Sequence, residues 1–117
     1  MKVAEAAERI GGVVVAGAAD AAGREIRGGY ASDLLSDVLG NCHEGDLWVT
    51  MQKHVNIVAV AQLRELAGIV LVGGRRPDAA TLARADEEHL PIVSTDWPTF
   101  DVVGILYSLG IRGRRSV

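Results

Sequence analysis

A pair of glycines followed by a helix start is the feature of this chain best suited to bind a ligand. The stretch REIRGGYASDLLSDVLG runs from Arg24 to Gly40, with Gly28 and Gly29 after an extended run and Ser32 opening an amphipathic helix. Glycine allows positive φ angles and the close approach of another group, and Ser32 can cap free N–H groups of the helix. Such N–H groups can hold a phosphate or another anion. The sequence therefore suggests an anion site at this joint.

Three later joints between a strand and a helix carry glycine or polar residues of the same kind. In a parallel sheet, ligands bind beyond the carboxyl ends of the strands, so all four joints are expected to meet along one edge. Their hydroxyls, amides, backbone N–H groups, imidazole and guanidinium suit a nucleotide or another phosphate-bearing metabolite. The candidate ligand-binding residues are Gly28, Gly29, Tyr30, Ser32, Thr50, Gln52, His54, Asn56, Gly73, Gly74, Arg75, Thr95 and Asp96.

Each of these residues also has a plain structural interpretation. Double glycines end strands and helices in many α/β proteins, with no ligand present. Ser32 and Asp96 have side chains suited to helix capping, and His54 opens a helix whose backbone it can contact. The sequence leaves both interpretations open.

No catalytic centre, metal site or cofactor is predicted. The phosphate-binding loop of nucleotide hydrolases, GxxxxGK[ST], is absent, as are the patterns GxSxG and GxGxxG. The three histidines lack the spacing of metal ligands, and Cys42 is the only cysteine. An enzyme that uses His54 and Asp96 remains a third alternative, behind a binding module and an interaction module.

Helices and strands alternate along the chain with short joints. The spacing of apolar residues predicts helices over 2–10, 32–39, 55–66, 78–89 and 98–109. It predicts strands or extended segments over 13–16, 24–30, 46–52, 69–72 and 91–94, and a loop over 17–23. Alternation of this kind implies right-handed crossovers. The predicted fold class is α/β, one three-layer α/β/α domain with a mainly parallel sheet of about four to five strands.

Composition narrows the classes of function. The chain has 117 residues, of which 49% are hydrophobic and 23% charged, as in an ordinary single globular domain. A net charge of −3 and 4% aromatic residues give no reason to expect nucleic acid as a partner. Because no signal peptide or membrane-length apolar run is evident, we expect a cytoplasmic protein with no membrane contact. Residues 1–111 are predicted to form the domain and residues 112–117 a solvated basic tail, with a binding arm as the alternative.

Five segments of the sequence resemble, in order and spacing, the DRTGG domain family. They are GGYASDLLSDVLGN, GDLWVT, HVNIVAVAQL, AGIVLVGG ahead of RPD, and STDWPTFDVVGILYSLGI. Domains of this family are related to the N-terminal domain of HPr kinase/phosphorylase, and they occur in some phosphotransacetylases and between the CBS domains of some inorganic pyrophosphatases. Arg24, Gly28 and Gly29 fit the naming motif. Gly23 stands where an acidic residue is usual, and Arg27 stands where threonine is usual.

The resemblance implies a regulatory or assembly module without catalytic activity, and a homodimer. In the pyrophosphatases the domain accompanies CBS domains that sense adenine nucleotides, whereas the kinase activity of HPr kinase/phosphorylase lies in a separate P-loop domain. We therefore expect a module that senses an adenine nucleotide or a small phosphate-bearing metabolite at the strand ends. The alternative is a protein–protein interaction or dimerisation module, docked on a partner enzyme, for which Trp48 and Trp97 could form exposed contacts.

Overall fold

Six helices and five strands alternate over residues 1–114, the part of the chain that the computed structural model describes. The helices are α1 (Val3–Arg9), α2 (Ala18–Ala21), α3 (Leu35–Asn41), α4 (Asn56–Leu63), α5 (Ala79–Glu87) and α6 (Thr99–Ser108). The strands are β1 (Gly12–Ala16), β2 (Gly28–Ala31), β3 (Asp46–Thr50), β4 (Gly68–Leu71) and β5 (Ile92–Thr95). Within this range, no helix has the length and apolar character needed to cross a membrane.

The strands form one sheet in the order β1-β5-β4-β3-β2. Strands β2 to β5 are parallel and lie side by side in chain order, while β1 pairs antiparallel with β5 at the far edge. Right-handed crossovers between consecutive parallel strands place α3, α4 and α5 on one face, and α1 and α6 cover the other. This arrangement confirms the predicted α/β fold with a mainly parallel sheet.

Each face of the sheet has its own hydrophobic core, because side chains alternate along every strand. In β3, Leu47 and Val49 pack in the cluster beneath α1 and α6, whereas Trp48 packs in the cluster beneath α3, α4 and α5. Trp48 is fully buried, and its indole N–H donates to the carbonyl of Ser32 at 2.9 Å. The expectation that Trp48 is exposed at an interface is therefore wrong.

The region predicted as a loop over 17–23 contains the short helix α2. Gly17 precedes the helix with φ 62°, a conformation that glycine adopts without steric cost, and its N–H donates to the Asp86 carboxylate at 2.9 Å. A Cβ atom on Gly17 would lie 2.5 Å from the carbonyl of Leu90. A single turn of alanines has no apolar period, so no pattern in the sequence predicts α2.

The extended segment predicted over 24–30 is a strand only from Gly28 onward. Gly28 pairs with Asp46 at the start of β3, so the glycine pair begins β2 and does not follow it. The next helix begins at Leu35, since the Ser32 hydroxyl accepts the Leu34 N–H at 3.2 Å and holds the chain in a turn. The remaining predicted elements agree with the structure to within a few residues.

The basic segment after Ile111 is not a solvated tail over residues 112–114. The carbonyl of Arg112 accepts the N–H of Gly29 at 3.1 Å, and the guanidinium of Arg114 contacts the carboxylate of Asp46 at 2.5 Å. The expectation of a free tail is therefore wrong for these residues, while the rest of that prediction, over 115–117, lies outside the described residues.

Replacing Gly17 with alanine should destabilise the fold by at least ~2 kcal/mol, because the new Cβ would meet the Leu90 carbonyl and the left-handed φ would become strained. Urea unfolding with an unchanged m-value measures the loss. Gly23→Ala is the matched control, since no atom lies within 4 Å of a Cβ added there, and it should change stability by less than ~1 kcal/mol. Equal midpoints for the two variants would contradict this account of Gly17.

Candidate functional site

The carboxyl ends of β2, β3, β4 and β5 lie next to one another along one edge of the sheet, here called the carboxyl edge. Residues 32–34, 51–54, 72–76 and 96–98 follow these strands and form the edge. Nine of the predicted site residues lie at or next to it: Ser32, Thr50, Gln52, His54, Gly73, Gly74, Arg75, Thr95 and Asp96.

Four predicted site residues lie elsewhere. Gly28 and Gly29 begin β2 at the opposite edge, because the chain becomes a strand only at Gly28. Tyr30 lies within β2, and its hydroxyl donates to both carboxylate oxygens of Asp37 at 2.9 Å. Asn56 is the first residue of α4 and borders a depression between α4 and α5. The glycine pair is therefore at the opposite edge and Tyr30 is held within β2, whereas Asn56 lies just behind His54, whose Nδ1 accepts its N–H at 3.3 Å.

Asp33 joins the ends of β2 and β3. Its Oδ1 accepts the Thr50 hydroxyl at 2.9 Å and the Met51 N–H at 2.7 Å. Its backbone carbonyl accepts the side-chain amide of Gln52 at 2.9 Å. Thr50 and Gln52, both predicted as ligand contacts, thus make hydrogen bonds within the protein. Asp33 was not among the predicted site residues, although its place beside a helix-capping serine was a usable signal.

The two glycines after β4 form a turn that is bonded to the end of β5. Gly73 and Gly74 have φ of 69° and 74°, and their N–H groups donate to the carbonyls of Trp97 and Thr95 at 2.9 and 3.0 Å. Any side chain at these positions would be strained. The N–H groups are therefore engaged by the fold, which favours the structural interpretation of this glycine pair.

Thr95 and Asp96 have different environments at the end of β5. Thr95 is 2% exposed, and its hydroxyl donates to the carbonyl of Ile10 at 2.8 Å. The same hydroxyl oxygen accepts the Trp97 N–H at 3.2 Å. Asp96 is exposed and faces the turn, since a Cβ on Gly74 would lie 3.4 Å from its carboxylate. Thr95 thus anchors the joint, while Asp96 stays open to solvent.

Four basic side chains stand beyond the ends of β3 and β4. The backbone carbonyl of Lys53 accepts the Asp78 N–H at 3.2 Å and the Thr81 hydroxyl at 2.8 Å, which ties the loop after β3 to the start of α5. The four exposed basic residues on these two loops are Lys53, His54, Arg75 and Arg76. None of them forms an ion pair with a carboxylate among residues 1–114.

These basic residues, called the basic rim below, are the groups at the carboxyl edge best suited to attract an anion. His54 also has a structural role, because its Nδ1 accepts the Asn56 N–H at 3.3 Å. The carbonyl of Arg75 accepts the Ser94 hydroxyl at 2.8 Å, which fixes the backbone that carries the guanidinium. The sequence reasoning missed Lys53 and Arg76, although both stand at the predicted joints.

The bond between Tyr30 and Asp37 changes the acidity of both groups. Hydrogen bonds from the hydroxyls of Ser32 and, next in size, Tyr30 hold the pKa of Asp37 below its ordinary value. Burial, followed by the hydrogen bond to Asp37, raises the pKa of Tyr30. Tyr30 therefore serves to tie β2 to the first turn of α3.

Two cavities lie away from the carboxyl edge. One of about 480 Å³ lies at the opposite edge, beside Arg24, Arg27 and Gly45. Another of about 200 Å³ is an apolar slot between β2 and α6, beside Val49 and Leu106. Among the described residues, no group of three or more His, Cys, Asp and Glu side chains is placed to hold a metal ion. A ligand at the basic rim would lie on an open surface.

Comparison with known proteins identifies the family. A model of the DRTGG domain matches residues 5–109, which is most of the chain. The chain belongs to the DRTGG domain family. This match confirms the resemblance that five segments of the sequence had suggested. No curated protein sequence matches this DRTGG domain.

A solved structure supports the same fold. The CBS and DRTGG domains of the regulatory region of Clostridium perfringens pyrophosphatase, complexed with the activator diadenosine tetraphosphate, align with a TM-score of 0.66 and 10% identity. The alignment covers 90% of this chain and 45% of that one. This DRTGG domain thus spans less than half of the length of that chain. Because the identity is low, the two proteins are shown to share a fold and nothing more.

Replacing Tyr30 with phenylalanine should raise the pKa of Asp37 toward its ordinary value, because the second largest cause of its lowering is removed. A carboxylate with a lowered pKa stabilises the fold above its unfolded-state pKa, and this stability is lost as the pH falls through the folded-state pKa. In the variant that loss should be smaller and should be complete at a higher pH, because the folded-state pKa moves toward the unfolded-state pKa. Carbon NMR titration of the Asp37 carboxyl measures the shift.

The control for this titration is Tyr107→Phe, since Tyr107 lies on α6 and its hydroxyl makes no hydrogen bond to Asp37. An Asp37 titration that is the same in Tyr30→Phe and in the unaltered protein would show that the Tyr30 hydroxyl does not hold this carboxylate.

Proposed function

We propose that this DRTGG domain is a non-catalytic regulatory module that senses a phosphate-bearing ligand, an adenine nucleotide in particular, at the basic rim. The observation that carries the proposal is that the loops after β3 and β4 lie side by side and both present exposed basic side chains. The carbonyl of Lys53 joins the first loop to the start of α5, directly after the second loop. The regulatory region of the pyrophosphatase, complexed with a dinucleotide activator, supports the same ligand class.

The basic rim combines a fixed backbone with side chains that can reach a ligand. The Gly73–Gly74 turn and the Ser94 hydroxyl hold the backbone of the loop after β4. Arg76 can offer a forked pair of N–H donors to phosphate oxygens, and Lys53 can add a point charge. Arg75 can do the same once its Nη1 leaves the Val72 carbonyl, to which it donates at 3.4 Å. A ligand with two or more phosphates would bridge the two loops, which favours a nucleotide over a simple carboxylate.

Sensing fits this edge better than catalysis does. Oδ1 of Asp33 holds the joint of β2 and β3 through hydrogen bonds to Thr50 and Met51. A general base is oriented by a hydrogen-bonded partner, but in the part of the chain that the structure describes His54 and Asp96 share no hydrogen bond, and the Asn56 N–H engages His54 Nδ1. The arrangement therefore supports binding, with the effect of the ligand passed to a partner enzyme or to a further domain.

Adenine nucleotides at about 100 times their Kd should stabilise the protein by ~2.7 kcal/mol, and so raise the midpoint of thermal unfolding by about 10 °C. Lys53→Ala and Arg76→Ala should each weaken binding by about tenfold or more, because each removes a charged donor to phosphate. Differential scanning fluorimetry against ATP, ADP, AMP, pyrophosphate and phosphate measures both effects.

Arg84→Ala is the matched control, since it removes the same charge from α5, where Arg84 pairs with Glu88 on the surface at 3.3 Å. It should leave the nucleotide response unchanged. A melting temperature that stays constant across the whole panel would contradict ligand binding. If Arg76→Ala and Arg84→Ala showed the same nucleotide-induced shift in melting temperature, the ligand would not bind at the basic rim.

A second candidate function, homodimerisation, rests on the outer face of α6. Phe100 and Tyr107 are 89% and 56% exposed, and with Val103 and Gly104 they form an apolar stripe at helical spacing. Glycine inside a helix costs about 1 kcal/mol relative to alanine, and nothing lies within 4 Å of a Cβ added at Gly104. Packing inside the chain therefore gives no reason for this glycine.

We propose that a second copy of the chain covers the α6 stripe. A two-fold axis near Gly104 would let the two helices approach closely and would set Phe100 of each copy against the far end of its partner's stripe. Trp97, which is 39% exposed, extends the same apolar surface. The stripe is self-complementary, which is what a symmetric interface requires.

Phe100→Asp should shift the protein from dimer to monomer and weaken association by about tenfold or more, because a charge would be buried within the contact. Sedimentation equilibrium over a range of concentrations measures this. Leu63→Asp is the control, since Leu63 is 73% exposed on α4, on the other face of the sheet. A protein that is monomeric at every concentration, or a dimer that tolerates Phe100→Asp, would contradict this interface.

A further inference from the structure

The segment Ile111–Arg114, called the C-terminal segment below, covers the free edge of β2. Strand β2 is the last strand of the sheet, and the N–H of Gly29 donates to the carbonyl of Arg112 at 3.1 Å. A Cβ on Gly28 would lie 2.9 Å from Arg114 Nε, and one on Gly29 would lie 3.2 Å from Ile111 Cγ2. The glycine pair that the sequence suggested as a phosphate site thus makes room for a peptide segment.

A buried carboxylate anchors the far end of the C-terminal segment. Asp46 is 1% exposed, and its Oδ1 accepts a hydrogen bond from Arg114 Nη2 at 2.5 Å. Its Oδ2 accepts the His43 N–H at 2.8 Å, and Arg114 Nη2 also reaches the carbonyl of Glu44 at 2.6 Å. A buried carboxylate that loses its cation is strongly unfavourable. Arg114 therefore provides the charged partner of Asp46 at Oδ1, while the His43 imidazole lies 3.9 Å from Oδ2.

An apolar contact anchors the near end. Gly110, with φ 98°, turns the chain back at the end of α6, and the N–H groups of Gly110 and Ile111 donate to the carbonyls of Tyr107 and Leu106, both at 3.1 Å. This is the glycine-dependent end that lets an apolar residue pack back onto its helix. Ile111 lines the apolar slot of about 200 Å³ between β2 and α6.

The C-terminal segment uses the same contacts by which sheet edges bind extended peptides. Such recognition combines a backbone hydrogen bond to the edge strand with pockets that select particular side chains. Here Ile111 stands beside the apolar slot as part of its wall, the N–H of Gly29 binds the next carbonyl, and Asp46 binds an arginine three positions after Ile111. A Cβ added to Gly113 would lie 3.9 Å from the carbonyl oxygen of Gly29, so the C-terminal segment lies close to the edge of β2.

We propose that the free edge of β2, the apolar slot and Asp46 form a binding site for an extended segment of a partner protein with the pattern apolar-x-x-Arg. The chain's own C-terminal segment occupies this site as an intramolecular ligand. Within residues 1–114, a single backbone hydrogen bond joins that segment to β2. A partner strand that pairs with more of the edge displaces it and supplies Asp46 with a new arginine.

Hydrogen exchange in the full-length protein tests the first part of the proposal. Arg114→Ala should speed exchange of the Gly29 amide by about tenfold or more, because the C-terminal segment loses its charged anchor. Arg112→Ala removes the same charge from a side chain whose guanidinium lies over the Tyr107 ring, 3.9 Å from its centroid, and should change this exchange by less than about threefold. Equal protection of Gly29 in Arg114→Ala and the unaltered protein would overturn the proposal.

Peptide binding tests the second part. A peptide containing Ile-Arg-Gly-Arg should bind the full-length Arg114→Ala protein at least about tenfold more tightly than one containing Ile-Arg-Gly-Ala, with NMR shifts at Gly29 and Asp46. If Arg114→Ala does not fold, Arg114→Lys replaces it, since lysine keeps the charge but loses the forked donor geometry. Equal affinity for the two peptides, or shifts confined to other residues, would overturn the assignment.

Discussion

The pairing of four parallel strands in chain order is the constraint from which the rest of this fold follows. Because β2, β3, β4 and β5 lie side by side, every crossover helix between them covers the same face, and every joint after a strand opens on the same edge. The other face is left for α1 and α6, so the sheet is buried on both sides. The carboxyl edge is therefore a necessary result of the topology.

Hydrogen bonds between neighbouring joints decide which groups at that edge can meet a ligand. The side chain of Asp33 joins the ends of β2 and β3, and the N–H groups of Gly73 and Gly74 join the ends of β4 and β5. Polar groups used in this way keep the backbone rigid and are withdrawn from recognition. The basic side chains and the Asp96 carboxylate remain, because charged side chains are costly to bury and so stay in solvent. The groups at this edge thus divide into those that hold the backbone and those that face solvent.

The sequence predicted the fold well because apolar periods report burial directly. The continuous run Ile69–Val72 identified a strand buried on both faces, and the spacing within α4 and α6 identified amphipathic helices. Pairing partners are not encoded in such periods. Whether Gly28 ends or begins a strand depends on its pairing with Asp46, and the docking of Arg114 depends on the same buried carboxylate. The sequence therefore indicates that a group approaches the glycine pair closely, but the group that does so is the segment Ile111–Arg114 and not a phosphate.

The two edges of the sheet present different charged groups, and this difference separates the two kinds of partner that we propose. At the carboxyl edge the basic rim faces solvent, whereas at the opposite edge Asp46 is buried and already holds a cation. Asp46 and Thr50 begin and end the same strand, so the two regions stand only about 13 Å apart along β3. Strands β2 and β3 contribute to both regions. A change at one edge that shifts β2 against β3 would alter the hydrogen bonds of Asp33 at the other, so the proposed phosphate-bearing ligand and the proposed arginine-bearing segment would act on a common structural element.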